Sequence, residues 1–527
     1  MDLISARYST GLKTYIVTLK FPDLEAAVDR LEKISYGGDC WEFRVDLLGP
    51  SSVAIPPLDY VRMQLRVLRD LPRKLPILFT VRTVSQGGRF PDDAANEALA
   101  LMKLAAEQGC EYIDVEMSWP SFVIDGILTV KGAAKIVASF HEFDGSIKWT
   151  SQTVRAMCTE ADAVGDIIKL CIQSVDINDC LELGLYVRDY QTRTSKPIIA
   201  VAMGTSGQLS RFTAPVTFVT HKLIPAPPGS DQLCLSDIHR ALHLLGQLPS
   251  KRFYFAGPAV TYDSLLSPLF TSASEDLGFP YSTCHLEEVG QDLNALLARP
   301  DFGGAYVPSL CNQPIGKYVQ SWTPVAEQIG IADTVLISTE SGQKVLSGDN
   351  TAWMAVLACL KSSGSFVSEN STALVLGVEP RSSAAYYAME RFGIQNVMLV
   401  SQDEEAASQI CNRFPHISFQ IYARLKDVSA ALVPGSSLAV FGDETGLESL
   451  DGDGLLDQFS GVMVDVGAVV KPASQQARLD RISKWKAYSA LDVLQSHADA
   501  LFRLWTGRNA PRTAADATLS ANFKEKR

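Results

Sequence analysis

The chain has 527 residues, more than one hydrophobic core usually fills, so we expect two or three domains with substantial interiors. Its 59 acidic residues outnumber its 47 basic residues, and the resulting net charge of −12 disfavours direct binding to nucleic acid or to an anionic membrane surface. The ten cysteines are scattered without a CxxC pair, which disfavours a disulfide framework and a zinc ribbon and predicts an intracellular protein without a metal site. The N-terminus lacks the pattern of a signal peptide, and no run of about 18 apolar residues predicts a membrane span.

Short apolar segments alternate with amphipathic stretches between about residues 14 and 245. The segments are short and rich in β-branched or aromatic residues, as is typical of strands: YIVTL, CWEFRVDLL, PILFTVRT, YIDVEM, KIVASFHEF, DIIKLCI, PIIAVAM and VTFVTH. Stretches such as DLEAAVDRLEKI and DAANEALALMKLAAEQG, with apolar residues three and four positions apart, predict the connecting helices. Eight such units favour a closed TIM (β/α)8 barrel, although periodicity alone does not exclude an open doubly wound sheet.

Polar residues follow or interrupt these strands where a barrel of this kind gathers its functional groups. They are Glu42, Arg44 and Asp46 in WEFRVD, Arg82 in FTVR, Asp114 and Glu116 in IDVE, His141 in ASFH, Lys169 in DIIK, and Arg211 after GQLS. A lysine in a desolvated pocket loses its proton more readily, and its amine then attacks a ketone to form a Schiff base. A nearby histidine shuttles protons in such chemistry, and a carboxylate orients the histidine.

The arginines allow two interpretations. The forked guanidinium groups of Arg82 and Arg211 are suited to gripping the carboxylate of a substrate. Structural ion pairs with Glu116 or Asp46 are the alternative.

These motifs, in this order over about residues 12 to 245, resemble type I 3-dehydroquinate dehydratase, a TIM barrel. The resemblance implies that Lys169 is the Schiff-base lysine and His141 the proton shuttle. It implies that the substrate contacts are Glu42, Arg44, Arg82 and Arg211. The family's closing loop contains Ser-Ala-Pro-Gly-Gln, whereas this chain reads IPAPPGSDQL. Ala226 replaces the serine and Ser230 the glutamine, unless a shift of two residues lets Gln232 contact the ligand. This altered loop argues for ligand binding without fast turnover.

A polar, proline-containing break, GQLPSKR, predicts a domain boundary near residues 246 to 252. A second α/β region follows, in which FYFAG, GAYVP, ALVLG, NVMLVS, LAVFG and GVMVDVG are the expected strands. We therefore expect a barrel over residues 1–248, a second region over 249–508, and a mobile tail over 509–527. Within the second region, 249–352 and 471–508 form a substrate-domain-like part, and 353–470 form a dinucleotide-binding-like part.

The second region resembles shikimate dehydrogenase, with the positions that carry out its chemistry altered. In FAGPAVTYDSLLSPLF, Ser264 matches one carboxylate-binding serine and Tyr262 replaces the other. In GAYVPSLCNQPI, Asn312 replaces the catalytic lysine, and in GDNTAW, Ala352 replaces the catalytic aspartate. Asp333 stands at a family asparagine, and His497 stands near a late glutamine. Because asparagine and alanine do not transfer protons, we expect no dehydrogenase activity.

The stretch VLGVEPRSSAAYYAMERFG, residues 375 to 393, has the pattern of a strand, turn and helix that bind a pyrophosphate, but after Gly377 the positions that should be glycine are Glu379 and Pro380. Glu379 adds negative charge where phosphates would lie, and Pro380 removes an amide donor. Downstream, VMLVSQDEE offers acidic residues where this family places an arginine for the phosphate of NADP. We therefore predict a degenerate Rossmann-type domain that has lost NADP binding, and no cofactor.

The two regions in this order resemble the C-terminal part of the fungal pentafunctional AROM protein and, more closely, the fungal quinate repressor family. That resemblance implies a transcriptional repressor of quinate catabolism in the nucleus and/or cytoplasm. It would bind a transcriptional activator protein rather than DNA and sense quinate, 3-dehydroquinate or 3-dehydroshikimate in the barrel. An active 3-dehydroquinate dehydratase with a noncatalytic appendage, and a scaffold that binds no metabolite, are the alternatives. The sequence leaves open whether the chain forms a homodimer. The absence of a GxxxxGK[ST] phosphate loop suggests a fragment that lacks the family's kinase-like domain.

Overall fold

A computed structural model describes most of the chain. The described residues are 2–50, 53–225, 231–257, 262–286, 293–308, 318–340, 343–378, 380–429, 431–432, 437–442, 447, 458–467 and 484–511. They form two compact units, Met1–Leu248 with Leu277–Phe279, and Pro249–Asp276 with Pro280–Arg527. Ala226, Ser230, Asn312, Glu379 and the tail from residue 512 onward lie outside the described residues. None of the helices in these ranges is long and apolar enough to cross a membrane.

The first unit is an eight-stranded, nearly closed parallel barrel, as the sequence predicts. Its strands are β1 (Thr14–Leu19), β2 (Cys40–Arg44), β3 (Ile77–Thr80), β4 (Tyr112–Glu116), β5 (Lys135–Glu142), β6 (Ile167–Gln173), β7 (Ile198–Met203) and β8 (Val216–Val219). The ladders run in the order β7-β6-β5-β4-β3-β2-β1-β8, and every pair is parallel. All eight strands coincide with apolar segments identified in the sequence.

Helices precede, connect and follow the barrel strands. They are α1 (Leu3–Ser9), α2 (Val28–Ile34), α3 (Leu58–Asp70), α4 (Ala95–Glu107), α5 (Ser121–Val130), α6 (Gln152–Val164), α7 (Ile177–Arg193), α8 (Leu209–Thr213) and α9 (Leu235–Leu244). Helix α1 packs at the start of the strands, because Ile4 belongs to the apolar cluster in the barrel interior and its backbone N–H donates to Tyr112 Oη at 2.9 Å. The opposite end of the barrel is left to the polar side chains.

The second unit contains two six-stranded sheets. The first has the order β10-β9-β11-β13-β14-β12 and comprises β9 (Lys251–Ala256), β10 (Tyr281–Leu286), β11 (Phe302–Tyr306), β12 (Ser321–Trp322), β13 (Thr334–Glu340) and β14 (Gln343–Asp349). The strands β13 and β14 form an antiparallel hairpin in an otherwise mostly parallel sheet. Its helices are α10 (Leu266–Asp276), α11 (Leu293–Leu297) and α12 (Pro324–Ile329).

The second sheet is entirely parallel and follows after α13 (Ala352–Ser362). It comprises β15 (Thr372–Leu376), β16 (Asn396–Val400), β17 (Ser418–Tyr422), β18 (Ser437–Gly442), β19 (Ser460–Asp465) and β20 (Trp485–Tyr488), with α14 (Pro380–Phe392), α15 (Glu404–Arg413) and α16 (Leu425–Ser429) between strands and α17 (Ala490–Thr506) last. Its order, β17-β16-β15-β18-β19-β20, is the 3-2-1-4-5-6 order of dinucleotide-binding domains. This arrangement confirms the predicted Rossmann-type fold.

The segment 471–508, which the sequence assigns to the substrate-like part, is described from residue 484 onward. Its strand β20 pairs in parallel with β19 in the second sheet. The following helix, α17, does approach the first sheet, because the Trp505 ring stacks on Phe253 of β9 at 4.9 Å. The described part of the C-terminal segment therefore contributes a strand to the second sheet and a helix that contacts both sheets.

Candidate functional site

Along most barrel strands, an apolar side chain that points into the barrel is followed two residues later by a polar side chain on the same side of the sheet. Side chains two residues apart on a strand lie on the same side of the sheet. The interior apolar cluster takes one residue near the start of most strands, including Ile16, Cys40, Leu78, Tyr112, Val137 and Ile167. Two residues further along the same strands stand Thr18, Glu42, Thr80, Asp114, Ser139 and Lys169, all buried. The sequence thus turns the upper interior of the barrel into a polar layer.

A buried ion network forms the centre of this layer. Lys169 Nζ lies 2.9 Å from Asp114 Oδ2, and Arg82 Nη2 lies 2.9 Å from Asp114 Oδ1. Arg82 Nη1 donates to Glu116 Oε1 at 2.6 Å, and Ser139 Oγ donates to Asp114 Oδ1 at 2.7 Å. Asp114 thus joins the lysine to the arginine. Lys169 occupies the third position of β6 rather than its end, so the amine projects from within the barrel wall.

Glu42 lies on the other side of the lysine. Its Oε1 is 3.6 Å from Lys169 Nζ, and its Oε2 accepts a hydrogen bond from Thr18 Oγ1 at 2.8 Å. Gln232 Nε2 in turn donates to Thr18 Oγ1 at 3.1 Å. Gln232 therefore reaches the Glu42 side of the cluster. The Phe218 ring covers the amine, with its centroid 4.4 Å from Lys169 Nζ.

His141 is held beside Arg82. Arg82 Nη1 donates toward His141 Nδ1 at 3.4 Å, and the His141 backbone N–H donates to Gln86 Oε1 at 2.9 Å. Burial, reinforced by the positive charges of Arg82, Lys169 and Arg44, lowers the pKa of His141 well below its ordinary value. The imidazole is therefore neutral at neutral pH and able to accept a proton.

The carboxylates of the network differ in protonation tendency. Burial acts to raise the pKa of Asp114, but Arg82 and Lys169 outweigh burial and hold it below its usual range. Burial raises the pKa of Glu116, and Arg82 only partly opposes this. Asp114 is thus the fixed anion of the cluster. A buried lysine amine facing a fixed carboxylate, with a neutral imidazole close by, is suited to imine formation with a ketone and to proton transfer at that ketone.

The remaining two arginines are each paired with a carboxylate. Arg44 forms a forked contact with Asp46, with both N···O distances at 2.7 Å. Arg211 Nη2 donates to Asp231 Oδ2 at 3.0 Å. For Arg82 the structure therefore contains the ion pair with Glu116 that the sequence offered as the alternative to ligand binding, with Asp114 as an additional partner. Arg211 pairs with Asp231 instead of Glu116 or Asp46, and Asp46 pairs with Arg44.

Lys20 is affected by the charges of these groups. Burial, together with the nearby charge of Arg44, lowers the pKa of Lys20, while Glu42 and Asp231 oppose that shift. The charge of Arg211 acts on it as well. Lys20 therefore lies within electrostatic reach of Arg44, Glu42, Arg211 and Asp231, near the same end of the barrel.

Several contacts escaped sequence reasoning. Thr18, Thr80 and Ser139 hydrogen-bond the site carboxylates, and the two-residue period that places Glu42 and Asp114 could have identified them. Asp231 gave no such signal, because it lies in a loop whose path no periodicity predicts.

Two of the altered positions of the second unit, Asp333 and His497, meet in a separate hydrogen-bond network. Asp333 accepts hydrogen bonds from Thr334 Oγ1 at 2.7 Å and from the Thr351 backbone N–H at 2.9 Å. Thr351 Oγ1 lies 2.8 Å from His497 Nε2, and the His497 ring meets Tyr306 edge to face. Burial raises the pKa of Asp333 to about 6, although these hydrogen bonds oppose the shift. Ala352 follows at the start of α13, with no side chain that transfers protons.

The phosphate-loop region is described only in part. Gly377 has a φ of +95°, and α14 begins at Pro380, whose side chain, like all of Glu379, lies outside the described atoms. Downstream, Asp403 caps α15 by accepting from the Ala406 N–H at 2.9 Å, and Glu404 and Glu405 are exposed in its first turn. The acidic stretch after β16 therefore also has a local structural role. Within the described ranges, no group of three or more histidine, cysteine or carboxylate side chains is placed to hold a metal ion.

Comparisons with known proteins agree with this architecture. The type I 3-dehydroquinase family model matches residues 15–249. The chain is 34% identical over 530 residues to the pentafunctional AROM polypeptide of Malassezia globosa and 30% identical over 560 residues to that of Mycosarcoma maydis. These matches cover 97% and 98% of this chain but 32% of each relative, so the chain spans about a third of their length.

A solved structure covers nearly the whole chain. It is described as the dehydroquinate dehydratase and shikimate dehydrogenase from S. pombe AroM, with 28% identity and a TM-score of 0.81. The match covers 98% of this chain and 99% of that chain.

Proposed function

We propose that this chain, which joins a type I dehydroquinase domain to a shikimate dehydrogenase-like region, is a metabolite-binding regulator of quinate catabolism. In this proposal the barrel binds quinate, 3-dehydroquinate or 3-dehydroshikimate. The second unit contributes to a surface for a transcriptional activator protein, whose activity the chain represses. The net charge of −12 supports a protein partner over direct binding to DNA.

The observation that carries ligand binding is the buried ion network of the barrel. Arg82, Asp114, Glu116 and Lys169 are each at most 3% exposed. Burying this many charges is costly, and replacing such groups by apolar residues is often neutral or stabilising. Binding of a ligand by the Lys169 amine and the neutral His141 imidazole would explain why these costly buried charges are present.

The observation that argues against a dehydrogenase reaction lies in the second unit. Ala352 has no proton to exchange, and Asp333 and His497 are tied to Thr351 in the protein interior. This supports a second unit that retains its fold without the reaction.

An active dehydratase is the second candidate, because Lys169 and His141 share one network through Arg82 and Asp114. Reduction with borohydride in the presence of 3-dehydroquinate tests the imine-forming site. Attack of the amine on the ketone carbon releases water, and hydride then converts the imine into a stable secondary amine. We expect the mass of one adduct in the wild type and none in Lys169→Ala, with Lys148→Ala as the matched surface control.

Steady-state turnover separates the two candidates. We expect an adduct without substantial dehydration of 3-dehydroquinate, because the closing loop is altered. Rapid turnover would make the chain an enzyme. If no adduct forms and calorimetry shows no heat of binding for any of the three metabolites, the sensor is refuted.

The repressor role is tested with the purified transcriptional activator in a surface-binding assay. We expect binding in the absence of metabolite and weaker binding when one of the three metabolites saturates the barrel, since a ligand shifts an equilibrium only by its difference in affinity for the two states. Activator binding that no metabolite alters, or no binding at all, would contradict this role.

In calorimetry we expect no binding of NADP, and micromolar affinity would contradict the proposed loss of the cofactor.

A further inference from the structure

The carboxylate of Asp231 lies where Arg211 would bind the carboxylate of a ligand. Arg211, in α8, has a side chain only 5% exposed, and its Nη2 is 3.0 Å from Asp231 Oδ2. The same oxygen accepts the backbone N–H of Gly204 at 2.9 Å. Two donors from separate elements thus converge on one carboxylate oxygen, which is the geometry of an anion-binding seat.

The backbone donor of this seat is fixed by its residue type. Gly204 follows β7 with a φ of +80°, and a Cβ on it would lie 2.5 Å from Gln173 Nε2. A residue with a side chain is therefore strained there by the positive φ, and the tip of the Gln173 side chain would also have to move. The N–H that faces Asp231 is consequently a built feature of the loop.

The seat is not saturated by Asp231. Among the described residues, the buried Nε of Arg211 has no hydrogen-bond partner. A guanidinium group can donate from Nε and Nη2 in parallel to both oxygens of one carboxylate. A buried donor without a partner is unfavourable, so a carboxylate that engages both nitrogens would be preferred over Asp231.

Asp231 is also the more accessible partner. Its side chain is 24% exposed, against 5% for Arg211. When the pair separates, the aspartate can regain water, whereas the arginine needs another anion. Exchange of Asp231 for a ligand carboxylate is therefore less costly than separation of the buried Arg82 pairs.

We propose that Asp231 is a specificity-determining residue of the barrel, an internal carboxylate that fills the anion seat made by Arg211 and Gly204 and that an anionic ligand must displace. The inference rests on the proposed function, since it assigns the seat to the carboxylate of the sensed metabolite. If Asp231 holds Arg211 for roughly nine-tenths of the time, the apparent affinity for that ligand is about tenfold weaker than that of the open seat.

The first test compares ligands with and without a carboxylate in the full-length protein. Calorimetry is performed with quinate, 3-dehydroquinate and methyl quinate on the wild type, Asp231→Asn and Asp231→Glu. We expect Asp231→Asn to bind the two acids about tenfold more tightly, with methyl quinate unchanged and Asp231→Glu close to the wild type. Asp237→Asn, which removes the carboxylate of an exposed ion pair with Arg240, is the matched control.

The second test needs no metabolite. Phenylglyoxal modifies free guanidinium groups, and peptide masses report the rate at Arg211. We expect that rate to rise about tenfold in Asp231→Asn and to stay unchanged in Asp237→Asn.

The outcomes separate the two proposals. An unchanged rate at Arg211, or an equal gain for methyl quinate and the acids, would overturn the role of Asp231 even if the wild type binds metabolites. A faster rate at Arg211 without metabolite binding by any variant would support the occupied seat and refute the sensor.

Discussion

Asp333 is a buried carboxyl group whose protonation should make the free energy of unfolding depend on pH. Burial raises its pKa to about 6, above the value of 3.8 for an unperturbed aspartate. The folded state therefore holds this proton more tightly than the unfolded state. The corresponding stability is present below about pH 4, falls as the pH rises through about 6, and is absent above, a change of about 2 to 3 kcal/mol.

The variant Asp333→Asn removes this titration while keeping an acceptor for Thr334 and Thr351. We expect the variant to gain stability relative to the wild type as the pH is raised from 5 to 8. Urea unfolding of both proteins at several pH values measures the effect. A difference in the free energy of unfolding that stays constant with pH would show that Asp333 does not titrate in this range.

Single residues also mark the limit of sequence reasoning about the site. The chain order of Glu42, Arg82, His141 and Lys169 was enough to propose a cluster, because parallel barrel strands bring one end of each strand together. The partners of the arginines were less predictable. Asp231 is 20 residues from Arg211 along the chain, and only the folded loop brings the two together.

At the scale of elements, two glycines allow opposite predictions. Gly461, in β19, has a φ of +152°, and a Cβ on it would lie 1.9 Å from the Leu438 carbonyl oxygen of β18. Because the two residues are register partners in a parallel ladder, the backbone has little room to move. We expect Gly461→Ala to lower the free energy of unfolding of the second unit by at least about 2 kcal/mol.

Gly184 is the matched control. It lies within helix α7, is exposed, and a Cβ on it would meet nothing within 4 Å. Because alanine is the better helix former, Gly184→Ala should stabilise the first unit by about 0.5 to 1 kcal/mol. Chemical unfolding of both variants measures the two effects, and a shift of the same sign in both would contradict the structural reason given for Gly461.

Strands with apolar runs were predictable, and strands with mixed composition were not. All eight barrel strands and β9, β11, β15, β16, β18 and β19 match apolar segments of the sequence. The missed strands are β10, β12, β13, β14, β17 and β20. Strand β17 shows the reason, because Ser418–Tyr422 is at a sheet edge and largely exposed, so burial imposes no apolar run on it.

At the scale of the whole molecule, the two units should respond differently to ligands. A ligand that binds only the folded state at a hundred times its Kd stabilises that state by about 2.7 kcal/mol. We expect 3-dehydroquinate to slow hydrogen exchange in β2, β4, β5 and β6 much more than in β15 to β19. NADP should change neither set of strands.

Hydrogen exchange with mass spectrometry measures both responses in one intact chain. Lys169→Ala is the control for the barrel, since it removes the amine that the ligand would meet. Slower hydrogen exchange in β15 and β16 when NADP is added would show that the second unit binds this cofactor and would contradict the predicted loss of NADP binding.

The position of Asp114 between two cations has a consequence for covalent modification of the barrel. An iminium ion, formed when the Lys169 nitrogen condenses with a carbonyl compound, still bears a positive charge and can remain the counterion of Asp114. An acetyl group on the same nitrogen abolishes that charge and leaves Asp114 and Glu42 with one cation fewer in a water-poor interior. The fold thus tolerates charge-conserving chemistry at this nitrogen and opposes acylation of it.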